Sequence, residues 1–391
     1  MLIISTTFLP VVGGVQYFLK WLLDNLDRRL GQDLALEVHF GYPNDGADEH
    51  VRFRNIRVHN LGVARFGKGQ LPRLALRVGH LLRQVRPQVV HCHSLVPDGL
   101  CVLMAGRLSG VRFKLVVTSH GQDLASIPSL DYGSLRSPKG RMLARYVTRR
   151  LSAHVVVSQY MVDFAVAAGT PKGAVQVIHN GVPLSGDYDF EEQERTDSSV
   201  DLPPLANGGL YILCLSSGRS LKNLHGLVEA MSQVRDELGS SKLILACTGP
   251  LAQPVMELVE GKGLADRIVF SGELTGARKR AYFGASDVYC LPSHFEAFGI
   301  VALEAMKFGV AVVAAKVGGI PDFVEHDRNG LLIAPSEPAQ IASALVRLYT
   351  TPSLRARLVE CALETVERFS ISAVVNHHIE LYRRVLERRR T

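Results

Sequence analysis

The segment from Tyr289 to Ile333, YCLPSHFEAFGIVALEAMKFGVAVVAAKVGGIPDFVEHDRNGLLI, constrains the fold more than any other stretch of the chain. A short apolar run, VYCL (288–291), predicts a buried strand, and PSHFE leaves it as a loop. GIVALEAMKF (299–308) predicts a helix that stops at Gly309, and VAVVAA (310–315) predicts the next strand, with VGGIPD at its carboxyl end. Two carboxylates lie within this unit. Glu296 falls in the loop, and Glu304 falls about a turn and a half into the helix at 3.6 residues per turn. Both positions border the crevice above the strand ends, where open α/β sheets bind ligands. The backbone N–H groups of Phe298, Gly299 and Ile300 are helix-start donors suited to oxyanions or hydroxyls. Two isolated acids would read as solvated groups flanking a βα unit; Phe-Gly and Gly-Gly at these offsets favour a binding role.

The same alternation runs through the chain. LIISTTF (2–8) predicts a buried strand, followed by a loop with Gly13 and Gly14 and then an amphipathic helix. Glycines at a strand-to-helix turn let backbone amides approach a phosphate without Cβ interference, although an ordinary tight turn would look the same. ALEVHF (35–40) predicts a second strand, and VRFRNIRVHNL (51–61) predicts exposed β structure. VVHCHS (89–94) predicts a buried strand ending in His91 and His93, read as part of a cleft wall because the carboxylates and spacing of a metal site are not apparent. FKLVVTSHGQDL (113–124) runs out into His120, just past a strand's carboxyl end, where a ligand can be touched. AHVVVSQYM and VQVIHNGVP complete a doubly wound α/β domain over residues 1–185.

Residues 186–207 are acidic, proline-bearing and without apolar periodicity, and read as a linker. LYILCLSSGRSLKNLHGLVEAM restarts the strand–loop–helix pattern, and SKLILACTGP and DRIVFSGEL add strands, so residues 208–370 form a second α/β domain. Residues 371–391 predict a helix crossing back toward the first domain. Two such domains imply a cleft between them.

The net charge is +7, and the basic excess lies in residues 1–185, where Lys and Arg outnumber Asp and Glu two to one. Arg73, Arg77, Arg83 and Arg86 sit near the polar side of an amphipathic helix over 71–87. A solvated face accounts for them; contact with a membrane or an anionic acceptor is the alternative. Six scattered cysteines without CxxC argue for reduced thiols and against a disulfide frame or zinc cluster. The N-terminus lacks a basic n-region and does not read as a signal peptide, and no apolar run reaches the length of a membrane span. A cytoplasmic protein is expected, with peripheral attachment to the inner face of the membrane as the alternative.

SHFEAFGIVALEAMKFGVAVVAAKVGGIPDFV resembles the signature of retaining nucleotide-sugar glycosyltransferases of the GT-B fold, family 4 type. That pattern is Glu, any residue, Phe-Gly, a second Glu eight after the first, Ala-Met, then Gly-Gly-x-Pro. The resemblance extends to GGV, TSHG, VIHNGVP, GRSLKN and HDRNGLLI. It implies two Rossmann-like domains facing a cleft, the first binding acceptor and the second donor. It implies that Glu304 binds the nucleotide ribose and that Glu296 lies beside the donor sugar. Phe298, Gly299 and Ile300 would hold sugar hydroxyls or diphosphate by their amides, and Gly14, beside Gly13, would contact the diphosphate. Arg219 and Lys222 would neutralise that diphosphate, and His120 would sit near the transferred sugar.

Lys222 lies three residues after Arg219, where many relatives have lysine about five after, and Asp322 stands where the motif normally has Glu. The resemblance implies a UDP-sugar donor, no metal and no cofactor beyond the co-substrate, with configuration retained. The acceptor would be a saccharide, glycolipid or small metabolite, and nucleic acid is not expected. A sugar-nucleotide epimerase of the same architecture and a nucleotide-sugar binding protein without turnover are the alternatives.

Overall fold

The computed structural model describes residues 1–8, 13–30, 32, 34, 36–42, 53–62, 69–184, 200–206, 208–216, 219–247 and 252–387. Most of the expected linker, residues 43–52 and 63–68, and the last four residues of the expected final helix lie outside them. The chain divides into two compact units, Met1–Pro183 with Ile371–Thr391, and Leu184–Ser370.

The first unit contains β1 (Leu2–Ile4), α1 (Gly14–Leu30), β2 (His39–Tyr42), β3 (Arg57–Asn60), α2 (Leu71–Val85), β4 (Val89–Cys92), α3 (Leu100–Ser109), β5 (Lys114–Ser119), α4 (Pro138–Thr148), β6 (Ala153–Val156), α5 (Met161–Ala167) and β7 (Val175–Val177). Its strands form one sheet in the order β3-β2-β1-β4-β5-β6-β7, with every pairing parallel. The central strands are buried from end to end, which is why they read as unbroken apolar runs. In α1, Phe18, Leu19, Leu22, Leu23 and Leu26 are buried, the spacing that puts one helix face on a sheet.

Two strand boundaries differ from the sequence reading. The second strand begins at His39 rather than at residue 35, where the His39 N–H bonds the Met1 carbonyl. The third begins only at Arg57. The Asp27 carboxylate accepts the backbone N–H groups of Arg54, Asn55 and Ile56, holding them in a local loop instead of a ladder.

The second unit contains β8 (Tyr211–Ser216), α6 (Leu224–Gln233), β9 (Lys242–Cys247), α7 (Ala252–Gly261), β10 (Ile268–Phe270), α8 (Gly276–Gly284), β11 (Val288–Leu291), α9 (Ile300–Lys307), β12 (Ala311–Ala315), β13 (Leu331–Ile333), α10 (Pro338–Thr350) and α11 (Pro352–Glu367). Its parallel sheet runs β10-β9-β8-β11-β12-β13, a doubly wound order whose direction reverses between β8 and β11. The core joins Ile212, Leu245 and Val313 from the sheet to Leu227, Ile341 and Leu358 from helices. The loops after β8 and β11 therefore flank the crevice that this topology creates.

The final helix, α12 (Ile371–Glu387), belongs to the first unit. Its buried Val374, Val375, His378, Ile379 and Tyr382 form one face, and Ser372 and Asn376 bond Asn25 and Arg29 of α1. The Tyr382 hydroxyl shares a 2.7 Å hydrogen bond with Nδ1 of His91, and Nε2 of His91 is bonded to Thr118. His91 is thus an interior residue of β4 with no exposed surface, not part of a cleft wall. Replacing Tyr382 with Phe leaves a buried imidazole nitrogen without its partner. The expected result is a loss of about 1–3 kcal/mol from the first unit's unfolding free energy, measured by urea denaturation, with no change in the second unit's transition.

Candidate functional site

Glu296 is held first by its backbone. Its carbonyl accepts the Gly319 N–H at 3.0 Å, and Gly318, at φ +54, lies so close that a Cβ there would sit 1.7 Å from the Glu296 oxygen. The Gly-Gly pair after β12 is therefore a docking surface for the loop after β11, and no side chain fits at its first position. The Glu296 side chain then meets two donors at Oε1: Lys222 Nζ at 2.5 Å and Ser293 Oγ at 2.8 Å. Both members of the ion pair are largely buried.

The loop carrying Arg219 and Lys222 is fixed by Asn223, which takes the left-handed conformation (φ 52) that Asn tolerates. Its amide nitrogen donates to the carbonyls of Pro292 and Pro335, and its Oδ1 accepts the Gly226 N–H at the start of α6. The His294 N–H bonds the Leu221 carbonyl at 2.7 Å. These contacts draw together the loops that follow β8, β11 and β13. Arg219 is exposed at the start of its loop.

Gly299 caps α9 with φ +102, and a Cβ there would strike Ile320 at 2.4 Å. Phe298 is buried against Phe323 and Phe369, which anchors the amides at the helix start. Glu304, in α9, is only 6% exposed, and its Oε1 accepts from Lys279 of α8 at 2.6 Å. Each of the two acids thus carries a lysine from another element. Sequence reasoning missed Lys279 and Asn223. An Asn directly before a helix is a recognisable cap signal, whereas nothing in RKR (278–280) announces a partner twenty-five residues onward.

In the first unit, Gly13 accepts the Tyr17 N–H at 3.1 Å, and α1 begins at Gly14. The end of β1 is fixed by the buried Asp98, which accepts the N–H and hydroxyl of Thr6. The buried Asp123 accepts the Leu95 N–H and the Ser119 hydroxyl, and so holds the turn that carries His120. His120 stacks on His93 with ring centroids 5.5 Å apart and shares a 3.2 Å hydrogen bond with it. His93 lies beside His91, and His91 beside His378. Among the described residues no group of His, Cys, Asp or Glu is arranged to hold a metal ion, and none of the cysteines is in a disulfide.

Burial pushes these imidazoles down: His120 to about 3, His378 to about 4, and His91 and His93 well below the usual range. His154, bonded to Ser119 and Thr170, is pushed to about 3 by the same cause. Burial raises Asp98 to about 6 and lifts Asp123 as well.

Two family models cover most of the chain: "Glycosyltransferase Family 4" over residues 12–185 and "Glycosyl transferases group 1" over residues 202–365. N-acetyl-alpha-D-glucosaminyl L-malate synthase of Bacillus anthracis is 25% identical across 98% of this chain and 97% of its own length. D-inositol 3-phosphate glycosyltransferase of Frankia alni is 30% identical across 76% of this chain and 74% of that protein. Among solved structures, Anabaena Alr3699/HepE in complex with UDP and glucose superposes with a TM-score of 0.76 at 21% identity, over 98% of this chain and 100% of that one. Sucrose-phosphate synthase from Thermosynechococcus elongatus gives 0.75 at 19% identity, over 98% of both. The structural likenesses establish the two-domain fold.

The buried histidines predict the response to acid. They stay neutral in the folded chain, whereas the unfolded chain protonates them below about pH 6.5. The unfolded state then binds more protons, so stability falls as pH drops from there toward the folded values of about 3–4. Asp98, raised to about 6, and Asp123 act in the opposite sense, since the folded state takes up their protons first on acidification. Five histidines outweigh two acids. Between about pH 6.5 and 5 the first unit should lose roughly 1.4 kcal/mol per pH unit for each histidine not offset. Denaturant unfolding across that range checks it, the second unit's transition serving as the reference.

Proposed function

The chain belongs to the GT-B glycosyltransferases of family 4, and from that membership we propose a retaining, metal-independent transfer of a sugar from a UDP-sugar to an acceptor hydroxyl. The observation that carries this reading is the pair Glu296 and Glu304 on one βα unit. The cationic loop of Arg219 and Lys222 is bonded to the first of these acids. The UDP and UDP-glucose complexes of HepE, a protein of the same fold, support the choice of donor.

In this reading the Glu304 carboxylate accepts the ribose hydroxyls, with Lys279 holding its orientation. Glu296 lies by the sugar ring. The Phe298, Gly299 and Ile300 amides, together with Gly13 and Gly14, receive sugar hydroxyls and diphosphate. The bond from the anomeric carbon to the diphosphate oxygen breaks, and that oxygen gathers negative charge. Arg219 and Lys222 stabilise the charge in place of a divalent ion. The acceptor oxygen bonds to the same face of the sugar, and its proton passes to the departing diphosphate. The two glutamates bind donor and are not the acid and nucleophile of a hydrolase. His120, neutral through burial, is assigned to the transferred sugar.

The acceptor is a saccharide, glycolipid or small metabolite. The named relatives are a glucosaminyl malate synthase and an inositol 3-phosphate glycosyltransferase, which makes anionic metabolites with a free hydroxyl the first to try. Family membership weighs against the epimerase and against a binding protein without turnover, neither of which uses an acceptor.

Transfer from UDP-sugars to such a panel, followed by NMR of the product, should give retained configuration and survive EDTA. An EDTA-sensitive activity restored by Mg²⁺ or Mn²⁺ would contradict the metal-independent mechanism. Glu296→Ala and His120→Ala should each lower kcat by at least about 100-fold, the scale of losing one transition-state contact. Calorimetric UDP affinity should change far less; equal losses in both would make these residues scaffold.

A further inference from the structure

Between residues 50 and 162 the chain holds only three acidic residues, Asp98, Asp123 and Asp131. The first two are buried, and Asp131 is paired with Arg136. The helices α2, α3 and α4 come from this stretch and form a continuous layer, α3 packing against both neighbours. Their solvent face is therefore free of carboxylates, while Arg73 and Arg83 of α2, Arg141 and Arg145 of α4, and Arg149 just after it are exposed on it. A surface that was merely solvated would intersperse both signs.

The same layer carries an apolar feature. Leu76, Leu108 and Met142, one on each helix, are 61%, 55% and 63% exposed. Along the sequence, Arg73 and Arg77 flank Leu76, Arg107 precedes Leu108, and Arg141 and Arg145 flank Met142. Protruding aliphatic groups within a cationic field match the boundary between lipid headgroups and acyl chains, where the apolar tips insert and the guanidinium groups meet phosphates. A nucleic-acid groove would call for stacking aromatics instead. The aromatic ring at this layer, Tyr146, is already covered by Arg107 and Arg150 at 5.2 and 4.0 Å.

We propose that the outer face of α2, α3 and α4 docks this protein on an anionic membrane surface, with Leu76, Leu108 and Met142 entering the interface. The attachment is peripheral: among the described residues no helix is long and apolar enough to cross a membrane. The docking face contains none of the residues assigned to donor binding or transfer, so it stands independently of the proposed reaction.

Co-sedimentation of the full chain with vesicles tests it. Vesicles of equal parts phosphatidylcholine and phosphatidylglycerol should bind the protein, phosphatidylcholine alone should bind it at least about tenfold more weakly, and added salt should release it. The triple variant Arg141→Gln, Arg145→Gln, Arg149→Gln should weaken binding by roughly fivefold per arginine removed. Leu76→Ser with Met142→Ser should weaken binding while leaving its salt dependence intact. Circular dichroism and UDP affinity confirm that each variant is folded. Should the triple variant fail to fold, the salt and lipid dependence of the unaltered chain decides. Equal binding to both vesicle types, unchanged binding by a folded triple variant, or tighter binding to duplex DNA than to the anionic vesicles would overturn the proposal.

Discussion

The contact between the Gly318–Gly319 turn and the backbone of Glu296 is the constraint on which the second unit's site depends. A carbonyl that must approach a Cα at less than van der Waals distance from any Cβ can do so only over glycine. Once that approach is made, the loop after β11 has one position, and the Glu296 side chain meets Lys222 and Ser293 from there. Asn223 performs the matching task for the loop after β8, and Phe298, buried among aromatic rings, does so for the start of α9. The result is a preorganised rim in which the orienting groups are backbone and packing. The charged side chains are its last layer.

Each acid is held with a cation, and the magnitudes say why this is tolerable. A largely buried carboxylate without a partner would cost several kcal/mol in desolvation. A lysine at 2.5 Å from Glu296 and another at 2.6 Å from Glu304 offset that cost and fix the orientation of each side chain. Lys222 therefore has two tasks in the proposed reaction: it neutralises Glu296 before donor arrives and meets diphosphate afterwards. The first unit solves its own problem differently. There, buried aspartates fix strand ends through backbone N–H groups, and buried neutral histidines stack beneath the turn at His120.

Much of this was legible in the sequence. The apolar runs VYCL and VAVVAA became β11 and β12, and the helix between them covers Ile300–Lys307. Glu296, Glu304 and the Gly-Gly pair stand out because their spacing is local. The illegible parts are those decided by distant partners. The third strand starts late because Asp27, on α1, claims the amides before it. His91 read as part of a cleft wall at a strand end, but the side chain that satisfies it in the interior, Tyr382, lies at the other end of the chain. Lys279 has no periodic or turn signature, and only the packing of α8 beside α9 gives it a role. Periodicity reports which face is buried; it does not report which polar group waits there.

The central claim is that Glu304 holds the ribose of a uridine nucleotide, and calorimetry of UDP against 2′,3′-dideoxy-UDP tests it most directly. If the carboxylate accepts the ribose hydroxyls, removing them should weaken binding to the unaltered chain by roughly tenfold or more, the worth of hydrogen bonds to a charged group. Glu304→Gln should erase most of that difference. Equal affinity of the unaltered chain for the two nucleotides would contradict the account.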